Sequence, residues 1–194
     1  MLVGELRMNA YLALVHYPVY DKNHKVVATS VTNLDIHDIA RACRTYGIAA
    51  YHLVHPVSAQ RDLIRRIAGH WQTADGMAQN ECRSEALSLV QVSASIEEVI
   101  REIQNRHQAP PFVVATSARA RSCVVSPKQL LSRPELANRP LLLLFGTGWG
   151  LQDEWLERAD GILEPIMSRA SYNHLAVRTA VGIILDRLFS GAQA

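Results

Sequence analysis

Apolar residues fall along this chain in short unbroken runs, and most runs are followed by a stretch whose apolar positions recur at helical spacing. The run at 11–16, YLALVH, closes just before Pro18 and predicts a buried strand, with 20–25 as its polar exit. A second strand is expected at 26–30. Asn33 and Asp35 then offer N-caps for a helix that buries Ile36, Ile39, Ala40 and Cys43 and stops at Gly47. Arg41 and Arg44 lie off that apolar stripe. Residues 48–54 predict the next strand, and 59–71 the next helix, with Leu63, Ile64 and Ile67 inward and Arg61, Arg65 and Arg66 outward. The polar stretch 72–83 reads as a loop.

The second half continues the alternation. Residues 87–92 are strand-like, and Ser95 with Glu98 makes a capping box for a helix running to about Gln104. Pro110 and Pro111 end that connection. The strand at 112–115 empties into a loop of small and basic residues, Thr116, Ser117, Ala118, Arg119, Ala120 and Arg121, and Ser126-Pro127 opens a short helix. Residues 141–145, LLLLF, predict a buried strand. Glycines at alternate positions, Gly146, Gly148 and Gly150, argue against a helix continuing and predict a turn into 152–158, a short helix with acids early and an arginine late. A short strand at 161–163 precedes the last helix, 173–189, on which Leu175, Ala176, Ala180, Ile183, Ile184 and Leu188 share one stripe.

Strands alternating with helices throughout predict an α/β fold with a mostly parallel sheet covered by helices on both faces. Ligands of such sheets bind beyond the carboxyl ends of the strands. Three strand exits carry suggestive residues: 116–121, 146–151 and 164–173. No repeat, low-complexity stretch or linker divides the chain, so one domain with its core at about 11–189 is expected.

Composition narrows the partners. The chain has 194 residues, 48% of them hydrophobic, enough for a sizeable core. Lys+Arg of 20 against Asp+Glu of 18 gives a net charge of +2, so a site for a polyanion must come from local clustering. The three cysteines, Cys43, Cys82 and Cys123, have no metal spacing and are expected to be buried free thiols in a reducing cytoplasm. No apolar run is long enough to span a bilayer and no leader pattern opens the chain, so a soluble cytoplasmic protein is expected. His52 and His55 lack a third ligand and, on a strand, would point to opposite faces; no metal is assigned.

The glycines invite a dinucleotide reading, a NAD-dependent oxidoreductase. However, GTGWGL is not GxGxxG, and a Rossmann fingerprint belongs in the first strand-turn-helix unit. The segment beyond the glycines carries more. EPIMSRASYNHLAVRTAVGIILDRL resembles the final motif of the alpha/beta-knot (SPOUT) methyltransferases: a proline loop at Pro165, then Ser171, Tyr172 and Asn173, then a helix rich in small residues through Ala176, Ala180 and Gly182. FGTGWGL resembles the family's second motif, ending in Gly150 and Leu151. DIARACRTYG, at 38–47, resembles the early helix of the ribose-methylating branch, where an arginine six residues before the glycine serves the target hydroxyl; here that arginine is Arg41. This sequence has Thr147 and Trp149 where the family's glycine loop usually carries a glutamate, and Asp35 where an asparagine usually stands.

The resemblance implies a C-terminal deep trefoil knot and S-adenosylmethionine as cofactor. It implies methyl transfer to a tRNA or rRNA nucleotide by in-line displacement, at a site shared across a homodimer. The cofactor would be held by three loops: Thr116, Ser117 and Ala118; Phe145, Gly146, Thr147, Gly148, Trp149, Gly150 and Leu151; and Glu164, Pro165, Ile166, Ser171, Tyr172, Asn173 and Leu175. Glycines would let the backbone approach the adenosine, with Leu151, Ile166 and Leu175 walling the adenine. Trp149 reads either as a stacking plane or as an ordinary core or interface aromatic. Arg41 reads either as the residue orienting the acceptor or as a solvated helix arginine. Arg44, Arg119 and Arg121 are candidates for RNA phosphates. A noncatalytic module that binds an adenosine ligand or RNA is the alternative from another functional class.

Overall fold

Six apolar residues in a row leave β1 (Ala10–Val15) no solvent-facing side, and all six are buried. Such a strand belongs inside a covered parallel sheet. The computed structural model describes residues 9–119 and 121–190; Ala120 of the expected loop and the N-terminal stretch read for a leader lie outside them. After β1 come β2 (Val19–Tyr20), β3 (Val26–Val27), α1 (Asn33–Thr45), β4 (Ala50–Val54), α2 (Ser58–His70), α3 (Ala74–Gln79), α4 (Glu81–Leu87), β5 (Val90–Ser93) and α5 (Ile96–His107). Then follow β6 (Phe112–Thr116), β7 (Val124–Val125), α6 (Pro127–Leu131), a 3₁₀ turn at Pro134–Ala137, β8 (Leu141–Gly146), α7 (Asp153–Arg158), β9 (Gly161–Leu163) and α8 (Val177–Phe189).

Seven strands form one parallel sheet in the order β5-β4-β1-β8-β6-β9-β7. Leu12 stands opposite Tyr51 of β4 on one side and Leu143 of β8 on the other. Strand order runs from β1 to β4 and β5 in one direction and to the later strands in the other, so a crevice opens at the carboxyl ends of β1 and β8. Alternation along the strands divides the core. Leu12, Leu14, Leu143 and Phe145 pack with Ile36 and Ile39 of α1 and with Ile184 and Leu185 of α8. Tyr11, Ala13, Val15, Leu142 and Leu144 pack with Val99 and Ile103 of α5 and with Trp155 of α7. Burying one leucine side chain stabilises by about 1.5–3 kcal/mol. The wholly buried run from Leu141 to Leu144 therefore holds β8 centrally and fixes where the glycine loop begins.

Several expectations are corrected. Only Val26–Val27 of the expected 26–30 strand is extended pairing, and it pairs antiparallel with β2 outside the main sheet. The rest is drawn along the exit of β1, where the Thr29 amide donates to the His16 carbonyl at 2.9 Å. Thr32, not Asn33 or Asp35, caps α1, accepting from the Asp35 amide. The 72–83 stretch is not a loop: Thr73 and Asn80 cap α3 and α4, and caps can define short helices that have no apolar stripe to reveal them. Leu63 is exposed although its neighbour Ile64 is fully buried, because α2 turns only a narrow face inward. Helix α5 runs on to His107, and α8 starts at Val177 rather than Asn173, leaving Leu175 exposed. Of the cysteines only Cys43 is buried; Cys82 and Cys123 are exposed, one on the polar α4 and one in a turn at positive φ. Among the described residues no helix is long and apolar enough to cross a membrane.

Candidate active site

The glycine loop is a tight return rather than an open cradle. A Cβ on Gly146 would lie 2.6 Å from the backbone nitrogen of Leu151, so the loop can close back on its own strand only with glycine there. Gly148 adopts φ +57, and its missing side chain is replaced by the Tyr20 carbonyl, 2.9 Å from where a Cβ would stand. The Trp149 amide donates to that carbonyl, and the Tyr20 amide donates to the Gly150 carbonyl, both at 2.9 Å. Close approach at Gly146 and Gly148 thus serves the protein's own backbone, and both residues also line the cavity described next. Leu151 closes the return: it bridges Val19 and is buried beside Trp155, so it walls no ligand.

Beyond the carboxyl ends of β1, β8, β6 and β9 lies a cavity of about 820 Å³. It brings together most of the three expected loops. Thr116, Ser117, Ala118 and Arg119 form one wall, and Phe145, Gly146, Thr147, Gly148, Trp149 and Gly150 a second. Glu164, Pro165, Ile166, Ser171, Asn173 and Leu175 form a third, joined by His174 and continued by Val177, Ala180 and Ile184 of α8. Leu151 and Tyr172 are the expected cofactor-loop residues that do not line it. Tyr172 is 70% exposed and meets His174 edge-on with ring centroids 5.4 Å apart, and the His174 ring in turn stands 6.1 Å, centroid to centroid, from Trp149 at the rim.

A fourth wall was not anticipated: His16, Thr29, Ser30, Thr32 and Asp35. Its signals in the sequence are the density of hydroxyls in ATSVTN, at 28–33, immediately before a helix, and Asp35 where the resembled family usually carries an asparagine. The side chains here form one hydrogen-bonded chain. Thr147 Oγ1 lies within reach of the Val15 carbonyl at 3.1 Å and of Thr29 Oγ1 at 2.5 Å. Thr29 Oγ1 is in turn 3.0 Å from His16 Nδ1. His16 Nε2 is buried and without a partner among the described residues. Burial, and then the neighbouring His55 ring 5.9 Å away, lower the His16 pKa to about 4, so the ring is neutral at neutral pH.

The arginines divide. Arg119 lines the cavity, whereas Arg121 is tied to Asp153 at 2.6 Å. Arg44 is ion-paired with Glu85 between α1 and α4. Arg41 is exposed on α1 and does not line the cavity of its own chain. His52 turns toward Ser93 and Tyr11, while His55 faces Thr29 and His16, the opposite faces expected of them. No group of three metal-binding side chains occurs among the described residues.

Residues 9–190, nearly the whole chain, match the family model described as SAM-dependent RNA methyltransferase. The chain belongs to this family of S-adenosylmethionine-dependent RNA methyltransferases. It is 46% identical over 184 residues to a protein of Oleidesulfovibrio alaskensis named tRNA (guanine-N(1)-)-methyltransferase, a match covering 95% of this chain and 43% of that one. The chain thus spans less than half the length of that relative. An uncharacterized protein of Aquifex aeolicus is 41% identical over 182 residues, covering 94% of this methyltransferase-family chain and 89% of the relative. Among solved structures, TrmJ from Z. mobilis superposes with a TM-score of 0.61 at 18% identity, covering 95% of this chain and 70% of that one, a likeness of fold.

Proposed function

We propose that this chain transfers the methyl group of S-adenosylmethionine to a nucleotide of tRNA or rRNA. The observation that carries the reading is the cavity itself: it lies where parallel sheets bind ligands, and three strand-exit loops supply its walls. The residues present fit the cofactor. The volume suits a drug-sized ligand with room for an acceptor, apolar Phe145, Ile166 and Leu175 alternate with hydroxyls, and Gly150 leaves open space at its α-carbon. Thr116, Ser117, the backbone of 145–150 and the 164–175 segment would hold it. Bound there, the sulfonium supplies an already activated methyl group, so the protein's tasks are to orient the acceptor and manage its proton.

The finer reading has the three loops interlocked in a trefoil knot within one domain of a cytoplasmic homodimer. Arg41 lies outside the cavity of its own chain and would reach an acceptor only at a site shared with a second copy. Arg119 and Arg121 would contact RNA phosphates. The O. alaskensis relative's name suggests tRNA as the acceptor class. Its guanine-N1 specificity is not carried over, because more than half of that protein lies outside the match.

The test is incubation with labelled S-adenosylmethionine and unmodified total RNA, followed by mass analysis of nucleosides. A new methylated nucleoside supports the reading. Binding of S-adenosylhomocysteine with no methylation of any RNA supports the second reading, a noncatalytic adenosine-ligand module, which the position of Arg41 favours.

A further inference from the structure

Four buried side-chain atoms lack a hydrogen-bond partner among the described residues: His16 Nε2, His37 Nδ1, His52 Nε2 and Arg121 Nε. Of their residues only His16 lines the cavity. It stands where the pattern of β1 calls for an apolar side chain. Leu12 and Leu14 precede it on the face that packs against α1 and α8, and alternation puts residue 16 on that face too. A leucine there would simply extend the stripe. An imidazole that is 1% exposed instead carries the cost of an unsatisfied polar atom, about 1–3 kcal/mol, unless something meets it.

Nδ1 is already engaged with Thr29 Oγ1, so Nε2 is the atom His16 has left for a ligand. Thr29 in turn is tied to Thr147 of the glycine loop, which holds the ring in place. Because burial keeps the imidazole neutral at neutral pH, it does not repel a cation, and with its hydrogen on Nδ1 it presents a lone pair. The rest of this wall also accepts hydrogen bonds, through the Ser30 and Thr32 hydroxyls and the buried Asp35 carboxylate. Arg119, the one arginine among the described lining residues, belongs to another wall. The cavity's other carboxylate, Glu164, is less buried and stands on the wall with Ile166 and Leu175, which offers the apolar surface an adenine needs. A wall of buried acceptors without a cation suits the end of the cofactor that carries a positively charged N–H group.

We propose that His16 Nε2 accepts a hydrogen bond from the α-ammonium of S-adenosylmethionine, so that the fourth wall is the subsite for the cofactor's amino-acid end. This rests on the cofactor reading above and gives a binding role to a residue outside the three loops. No proton is transferred: the imidazole stays neutral and the ammonium keeps its charge. A hydrogen bond to a charged donor in a buried site is among the stronger kinds, so one nitrogen can govern how tightly the tail is held.

The experiment measures, by calorimetry, the binding of two ligands to wild type, His16→Asn and His16→Gln. S-adenosylhomocysteine keeps the α-ammonium, and methylthioadenosine lacks the whole amino-acid end. An asparagine amide can reach Thr29 as Nδ1 does but has no atom at the place of Nε2, whereas a glutamine amide reaches that place. The assignment expects H16N to bind S-adenosylhomocysteine about 10- to 100-fold more weakly than wild type and methylthioadenosine within about twofold of it. H16Q should recover most of the lost affinity. In wild type isotope-labelled at the histidine ring nitrogens, the His16 Nε2 resonance should be that of an unprotonated nitrogen and should move on adding S-adenosylhomocysteine but not methylthioadenosine, a readout that needs no variant. H16N that binds S-adenosylhomocysteine like wild type, H16N that loses both ligands equally, or a protonated Nε2 in the complex overturns the assignment. Unchanged S-adenosylhomocysteine affinity with a raised KM for RNA in H16N overturns it too and moves the contact to the acceptor nucleotide. Wild type that binds neither ligand overturns the cofactor reading together with this assignment, whereas wild type that binds both, with H16N indistinguishable from it, overturns the assignment alone.

Discussion

Thr29 and Thr147, 118 residues apart, share a hydrogen bond of 2.5 Å between their hydroxyls. The contact ties the glycine loop after β8 to the segment leaving β3, within a hydrogen-bonded chain that runs from His16 to the Val15 carbonyl. Thr147→Val keeps the shape but removes the middle of that chain. Thr29 then loses its partner on the glycine loop and the Val15 carbonyl loses a donor, so unfolding free energy should fall by about 1–3 kcal/mol in urea titration. A Thr147→Ser variant should recover most of it, and a valine variant as stable as wild type would show the chain to be dispensable.

Acid should weaken the fold before most carboxylates titrate. Burial lowers the pKa of both His16 and His52 from 6.5 to about 4, and lowers those of His37 and His55 as well. In that range the unfolded chain binds more protons than the folded one, so stability is complete above pH 6.5 and falls as pH drops toward 4. His16 and His52 each contribute about 3 kcal/mol to that loss by pH 4. Urea midpoints from pH 7.5 to 4 should show the decline, and His52→Gln should flatten it.

Gly148→Ala should cost about 1–2 kcal/mol from the left-handed backbone alone, with more from the clash at the Tyr20 carbonyl, 2.9 Å from the new methyl. The loop carrying Trp149 would shift off the β2–β3 hairpin. Tryptophan fluorescence should therefore change along with the melting temperature. Gly150→Ala, strained at φ +104 but meeting no atom within 4 Å, should disturb packing less.

Ligand selectivity is cheap to read. At a concentration 100 times its Kd, S-adenosylhomocysteine should stabilise by about 2.7 kcal/mol. For a chain of this size that is a rise in Tm of about 5–10 °C. NAD should give none.

Much of this is legible in the sequence. Short apolar runs bounded by turn residues fit strands inside a covered sheet, which made β1, β4, β6 and β8 readable, and the family resemblance of FGTGWGL and of the Ser171 to Asn173 segment agrees with the family match across residues 9–190. The fourth wall was hidden because most of its residues lie outside regular elements: Thr29 and Ser30 gain their position from a hydrogen bond to the exit of β1, which no local pattern encodes. Asp35 reads both as a helix cap and as the residue that replaces the family's usual asparagine, but its burial at the cavity wall is visible only in the fold. Leu151 looked like pocket lining since glycines surround it, yet the tightness those glycines permit is what carries it into the core.

The cavity draws its walls from His16 near the start of the described chain to Ile184 near its end, with α8 laid across α1. A molecule seated there acts as a rivet through parts that meet only once folding is complete. Amide exchange should therefore slow on binding not only in the loops but across β1, β8 and α8 together, and ligand affinity becomes a gauge of whether the whole chain is assembled.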